Sequence, residues 1–233
     1  MNNADDTTAL QTQIALMEQL QEMLLYMITH ELRTPVMTIM GFTDILLSDS
    51  QNGTGLAQSQ SHLERIRSAA QRQNAIIQGL QQIASLQRHP LDLTTTNLSE
   101  VVSAELVKVL PQQHRFQTRV SQVSSAQADA NMTSAALHAL LSILTMISQR
   151  ASLPSIEFGE KDKTYYLRAS SEGFDSGAEH TLPMLLRRLQ SGIDFPGAGM
   201  NLLIAATIVH RHGGDLRFST TINQTFTFEF NLP

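Results

Sequence analysis

The segment His30-Glu31-Leu32-Arg33-Thr34-Pro35 gathers a histidine, an acid, a base and a hydroxyl into one turn's worth of chain. These types can do chemistry together. A neutral imidazole, with an unperturbed pKa of about 6.5, is a nucleophile at neutral pH. A carboxylate beside it can take up a proton or steady a cationic ring. Thr34 stands four positions after His30, so on a helix the two side chains share a face. An isolated histidine beside a proline is more often a surface residue at a kink, so the flanking sequence has to decide.

The flanks read as helix. Leu10, Ile14, Met17, Leu20, Leu24, Ile28 and Leu32 recur at steps of three or four, the period of one buried helical face. The stripe continues past Pro35 through Val36, Ile39, Phe42, Ile45 and Leu46, with a kink or break expected at the proline. "SDSQNGTG" supplies turn residues. Leu63, Ile66, Ala70, Ile77, Leu80 and Ile83 then mark a second helix ending near "RHP". Two amphipathic helices joined by a short loop make a hairpin, and a lone hairpin leaves half its apolar surface wet. Two copies paired as a four-helix bundle would cover it, so a homodimer is expected.

From about residue 91 the texture changes. A short extended piece leads to a helix capped near Asn97 or Ser99, with Glu100 as a favourable first-turn charge. "HRFQTRVSQV" alternates like a strand, and "NMTSAALHALLSILTMISQRA" is an apolar helix. "SIEFGEKDKTYYLRASS" reads as two strands, with Gly159 and the charged "EKDK" marking the turn between them. After an irregular stretch, "NLLIAATIVHRH" predicts a buried helix and "GGDLRFSTTINQTFTFEFNLP" a closing β-hairpin. The fold class is therefore an α-helical hairpin (residues 1–90) forming a dimeric four-helix bundle, followed by an α+β sandwich with antiparallel-looking strands (residues 91–233).

Composition narrows the partners. With 42% hydrophobic residues, the 233-residue chain can bury a substantial core. The formal charge of −5, with lysine only at Lys108, Lys161 and Lys163, provides no basic stripe for a phosphate backbone, so nucleic acid is not an expected partner. The absence of cysteine removes disulfides, thiolate metal sites and a cysteine nucleophile, and fits a cytoplasmic location. The polar, acidic "MNNADDTTAL" is unlike a signal peptide, and no apolar run reaches the roughly 18–20 residues of a membrane span.

The "HELRTP" motif on an amphipathic helix resembles the phosphoacceptor motif of two-component sensor histidine kinases. The tail "GAGMNLLIAATIVHRHGGDLRFSTTINQTFTFEFNLP" is similar to the end of that family's Bergerat-type ATP-binding domain: a glycine box, a helix, "HGG" and closing strands. The resemblance covers nearly the whole chain in the correct order. It implies a dimeric histidine-phosphotransfer hairpin ahead of an ATPase-like domain, and a response-regulator receiver domain as partner. By the same resemblance His30 accepts a phosphoryl group, Glu31 accepts or orients the imidazole proton, and Thr34 positions a water that dephosphorylates a partner's phosphoaspartate.

The chain departs from the family at the nucleotide site. The helix that usually carries a magnesium-binding asparagine places Ser142 and Met146 at the two asparagine positions. A thioether is a poor ligand for a hard cation that wants oxygen, and no asparagine lies between Asn131 and Asn201. His138 on the same helix reads as a packed or edge histidine. In "EGFDSGAEH", Asp175 and Gly177 keep part of the adenine-recognition box, with Glu172 behind, but Glu179 replaces its second glycine; an ordinary acidic turn explains these residues equally well. Gly197 and Gly199 precede a helix whose N-terminal amides can hold an anion, although Asn201 replaces a further glycine, and the pair also serves as a tight turn. Arg187 and Arg188 could reach a phosphate or form a solvated helix face. No cofactor is assigned, ATP with magnesium being the only one the resemblance raises. Three readings stay open: a phosphotransfer or phosphatase protein, an ATP-dependent histidine kinase, and a dimeric pseudokinase scaffold without chemistry.

Overall fold

The structure, a computed structural model, describes residues 3–52, 56–110, 116–172, 174, 181–190, 195, 197–221 and 225–232. Within the helices, the side chains of 3–17, 19, 20, 23, 27, 30, 31, 50–52, 56–58 and 190 lie outside the description.

Two long helices, α1 (Asn3–Asn52) and α2 (Leu56–Arg88), form the hairpin. Helix α1 runs through Pro35 without interruption and on to Asn52, so neither the expected break nor most of the expected turn at "SDSQNGTG" is present. A proline inside a helix removes one amide donor and crowds the carbonyl four residues earlier. Here Pro35 is buried against the hairpin, and packing holds the helix through the defect. On α2 the inward positions are Ala69, Ile76 and Ile83, while Leu63 and Ile77, expected on the buried stripe, are exposed.

The second half places three helices on a five-stranded sheet. Strand β1 (Thr94–Thr96) pairs antiparallel with β3 (Ala126–Ala128). The main sheet has the order β2-β4-β5-β7-β6, from β2 (Gln117–Val120), β4 (Ser155–Lys161), β5 (Thr164–Ser170), β6 (Leu216–Thr221) and β7 (Thr225–Phe230). Its β2–β4 pair is parallel, so the sheet is mixed and not wholly antiparallel. The turn between β4 and β5 is Asp162–Lys163, both at positive φ. Gly159 lies inside β4 instead, buried, with the Tyr166 ring where its Cβ would stand. That glycine serves a close approach across strands and not a turn.

Helices α3 (Leu98–Val109), α4 (Ala130–Ser148) and α6 (Ala198–Arg211) cover the sheet, and α5 (Leu182–Gln190) occupies part of the stretch read as irregular. Asn97 caps α3, its side-chain oxygen accepting from the amides of Ser99 and Glu100. Asp129 caps α4 in the same way through Met132 N–H. Among the described residues α4 is the helix long and apolar enough to cross a bilayer, but Leu137, Leu140, Leu141, Ile143, Leu144 and Ile147 are buried in the core, which accounts for that composition. They face Phe158, Phe226 and Phe228 of the sheet across one continuous core.

Candidate functional site

His30 and Glu31 lie in the middle of α1, and their side chains lie outside the described residues. The backbone around them carries one chemical consequence of the sequence. Pro35 offers no N–H to the carbonyl four residues earlier, so the Glu31 carbonyl lacks its ordinary helical donor. Thr34 is exposed one turn beyond His30. It opens a groove of about 480 Å³ between the two helices, walled by Thr34, Pro35, Thr38 and Phe42 of α1 and by Glu64, Arg65, Ala69 and Arg72 of α2. The Arg65 guanidinium lies 5.2 Å above the centre of the Phe42 ring, within cation–π range. The turn that carries His30 and Thr34 therefore sits beside a largely apolar groove whose α2 wall carries charges of both signs.

The nucleotide side is arranged differently. Ser142 spends its hydroxyl on the His138 carbonyl of its own helix at 2.8 Å, and Met146 packs against the core. Met146 offers only a thioether and Ser142 only a neutral hydroxyl, and among the described residues no cluster of three or more histidine, aspartate or glutamate side chains could hold a metal. The donor set on α4 does not fit magnesium. Asp175 and Gly177 lie outside the described residues. Gly197 takes the left-handed conformation at φ 79° as the N-cap of α6, and Gly199 is buried in the first turn. The glycine pair thus forms the turn that starts α6, with the Ala198 N–H already donated to the Phe195 carbonyl. Arg187 and Arg188 are exposed on α5, stacked over the rings of Tyr26 at 5.1 Å and Phe174 at 5.9 Å.

A polar cluster on the helical layer was not read from sequence. Glu105 of α3 is only 2% exposed, yet accepts from Lys108 Nζ at 2.6 Å and Ser134 Oγ at 2.6 Å and contacts His138 Nδ1 at 2.9 Å. Burial pushes this carboxyl up, and the hydrogen bonds from Lys108, Ser134 and His138 more than offset it, so the net shift is downward. The signal in the sequence was an acid on the same face as Leu98, Val102 and Leu106, opposite Ser134 and His138 one turn apart on α4.

Comparison with known proteins agrees with this architecture. Residues 20–89 match the His Kinase A (phospho-acceptor) domain. The chain is 24% identical over its whole length to cyanobacterial phytochrome B of Nostoc sp. (strain PCC 7120 / SAG 25.82 / UTEX 2576), and spans 32% of that protein. The fold is similar to that of the Acinetobacter baumannii histidine kinase AdeS, with a TM-score of 0.51 and 17% identity over 87% of this chain and 96% of that one. It is also similar to full-length ShkA in complex with AMPPNP, with a TM-score of 0.52 and 17% identity over 93% of this chain and 45% of that one. The hairpin, over residues 20–89, belongs to the His Kinase A (phospho-acceptor) domain family, and the whole chain shares the fold of sensor histidine kinases, a helical hairpin followed by an α/β domain with a mixed sheet.

Proposed function

We propose that the chain exchanges phosphoryl groups between His30 and an aspartate of a response-regulator receiver domain, as a phosphotransfer and phosphatase protein that does not depend on ATP. One observation carries the reading: at the two asparagine positions of the family, α4 carries Ser142, whose hydroxyl donates to its own backbone, and Met146, a thioether packed against the core, where a kinase needs oxygen ligands for magnesium. In the reverse transfer the His30 imidazole attacks the phosphorus of a receiver's phosphoaspartate. An N–P bond forms, the acyl P–O bond breaks, the aspartate leaves as carboxylate, and Glu31 takes the ring proton. In the phosphatase reaction Thr34 orients a water toward the same phosphorus. The groove beside Thr34, with Glu64, Arg65 and Arg72 on its α2 wall, gives a receiver a surface of mixed charge to dock against.

The reading assigns residues 1–90 to the reaction and residues 91–233 to docking. It pairs two copies through the hairpin and places the protein in the cytoplasm. A second reading, the ATP-dependent kinase, is favoured by the left-handed turn at Gly197 ahead of α6. The deciding experiment incubates the full chain with a phosphorylated receiver domain in the absence of nucleotide, beside a calorimetric titration with ATP and ADP, each with and without Mg²⁺. Loss of receiver phosphate that requires His30 or Thr34, with no nucleotide binding at millimolar concentration, is the expected result. Magnesium-dependent ATP binding at micromolar affinity and labelling of His30 by Mg·ATP would establish the kinase instead. Receiver binding with neither transfer nor hydrolysis would leave only a scaffold.

A further inference from the structure

Glu105 and His138 line a second cleft, of about 450 Å³, remote in sequence from His30 and formed by α3, α4 and α6 with Gln82 of α2 at its edge. Its polar wall consists of Glu105, Lys108, Asn131, His138, Asn201 and Gln82, and its floor includes Ala135, Ala139 and Ile204.

The His138 side chain is 48% exposed while its acid partner is 3% exposed, so the pair presents an open imidazole on a buried carboxylate. Glu105 accepts from Lys108 and Ser134 and stays ionised, which makes Nδ1 of His138 the protonated nitrogen facing it. In the neutral ring the lone pair is then on Nε2, at the far side of the ring from Glu105. Among the described residues no side chain partners that nitrogen. A carboxylate holding Nδ1–H fixes the tautomer and neutralises the cation formed when Nε2 is substituted. Lys108 and the side-chain amides of Gln82, Asn131 and Asn201 add donors on the same wall, the groups that bind phosphoryl oxygens.

We propose that His138 is a second phosphoryl acceptor, taking a phosphoryl group at Nε2 from a small acyl phosphate bound in this cleft. Nε2 attacks phosphorus and an N–P bond forms. The acyl P–O bond breaks, the carboxylate leaves, and the Nδ1 proton stays shared with Glu105. The reaction uses neither nucleotide nor metal and goes beyond the exchange assigned to His30. A cleft of this volume suits a metabolite-sized donor.

The test incubates the full chain with acetyl phosphate at neutral pH and maps acid-labile phosphohistidine by mass spectrometry. The His30→Ala variant is expected to keep its label at His138, and His138→Ala to lose it. Glu105→Gln should slow labelling at this site by about a hundredfold, the lower end of what a positioned proton partner contributes. Should Glu105→Gln fail to fold, the unaltered chain still decides, because exposed His89 serves as an internal control with no buried carboxylate bound to its ring. Labelling of His138 no faster than of His89, or confined to His30, overturns the proposal.

Discussion

The Met200 side chain of α6 fills the space beside Gly79 of α2, where an added Cβ would stand 2.5 Å from the methionine Cγ and Sδ. The helix that starts at the glycine turn is thus keyed into the phosphoacceptor hairpin. Arg211 at the other end of α6 strengthens the junction by donating to the Leu86 and His89 carbonyls of the hairpin's last turn. Two terms oppose each other at position 79. Alanine gains about 1 kcal/mol of helix propensity over glycine, and Met200 can swing its flexible end aside. Gly79→Ala should therefore stay within about 1 kcal/mol of the unaltered chain, whereas Gly79→Leu should lose roughly 1–3 kcal/mol through overpacking. Urea unfolding with amide exchange along α6 would check this. Met200→Ala should restore much of the loss in the leucine variant, and additive effects would show that the two residues do not meet.

Acid should weaken the second half through Asp129 and Glu105. Asp129 Oδ1 accepts Met132 N–H at 3.0 Å and Oδ2 accepts Asp92 N–H at 3.1 Å, while His212 Nε2 accepts its backbone N–H at 3.0 Å. Burial pushes the Asp129 carboxyl up, but the amides and the nearby His212 more than offset this, as the donors do at Glu105. Both acids therefore bind protons more weakly folded than unfolded. Their stabilisation is present above the ordinary carboxylate pKa of about 4 and is lost as pH falls through the lower folded values. Urea midpoints should decline below about pH 5, and Asp129→Asn, which keeps a capping oxygen, should flatten part of that decline. Asp129→Ala should cost roughly 1–2 kcal/mol at neutral pH. An unchanged acid profile in Asp129→Asn would remove Asp129 from the account.

The legible features were those set by local pattern. The Asn97 cap, the helical period of α4 and the strands beside "EKDK" all follow from nearest-neighbour chemistry, and each is present. Offsets arose where tertiary packing chose between adjacent apolar residues. Ala69 and Ile76 turn inward in place of Ala70 and Ile77, because one residue rotates a helix face by about 100° and only the partner helix decides. Gly159 was misread because a glycine's local cue for a turn is the same as its tertiary use in admitting the Tyr166 ring. The Glu105 cluster joins α3 to α4 across 33 residues, a long-range pairing that no local period encodes.

Thr34 separates the two reactions proposed at the hairpin. Transfer to His30 needs the imidazole and the acid beside it, while hydrolysis of a receiver's phosphoaspartate needs an oriented water. Thr34→Ala should lower receiver dephosphorylation to water by about a hundredfold, the scale of a lost positioning group, and leave the phosphohistidine yield nearly unchanged. Thr34→Ser, which retains the hydroxyl, should recover most of the loss. Discharge of a phosphorylated receiver at matched rates by Thr34→Ala and the unaltered chain would remove Thr34 from the reaction.

Leu25, Val36, Met40 and Leu47 are exposed in one chain, at 57%, 37%, 55% and 60%, although their spacing of 11, 4 and 7 residues puts them on one helical stripe of α1. At 1.5 Å per residue that stripe is about 33 Å long. A stripe of exposed apolar side chains of this length, interrupted only by Thr29 and Thr43, is costly to leave in water, and burial against a second copy returns roughly 25 cal/mol for each Å² covered. A charge at its centre should be more damaging than one elsewhere, because a dimer would bury Met40 with no counter-ion. Met40→Glu should therefore raise the dimer dissociation constant by at least a hundredfold, about 2.7 kcal/mol, measured by sedimentation across a concentration series. Val107→Glu is the control, since Val107 is more exposed, at 83%, but lies on α3 away from the stripe. Equal weakening by both substitutions would place the dimer contact elsewhere, and a monomeric unaltered chain at tens of micromolar would mean that the stripe is covered by something other than its own copy.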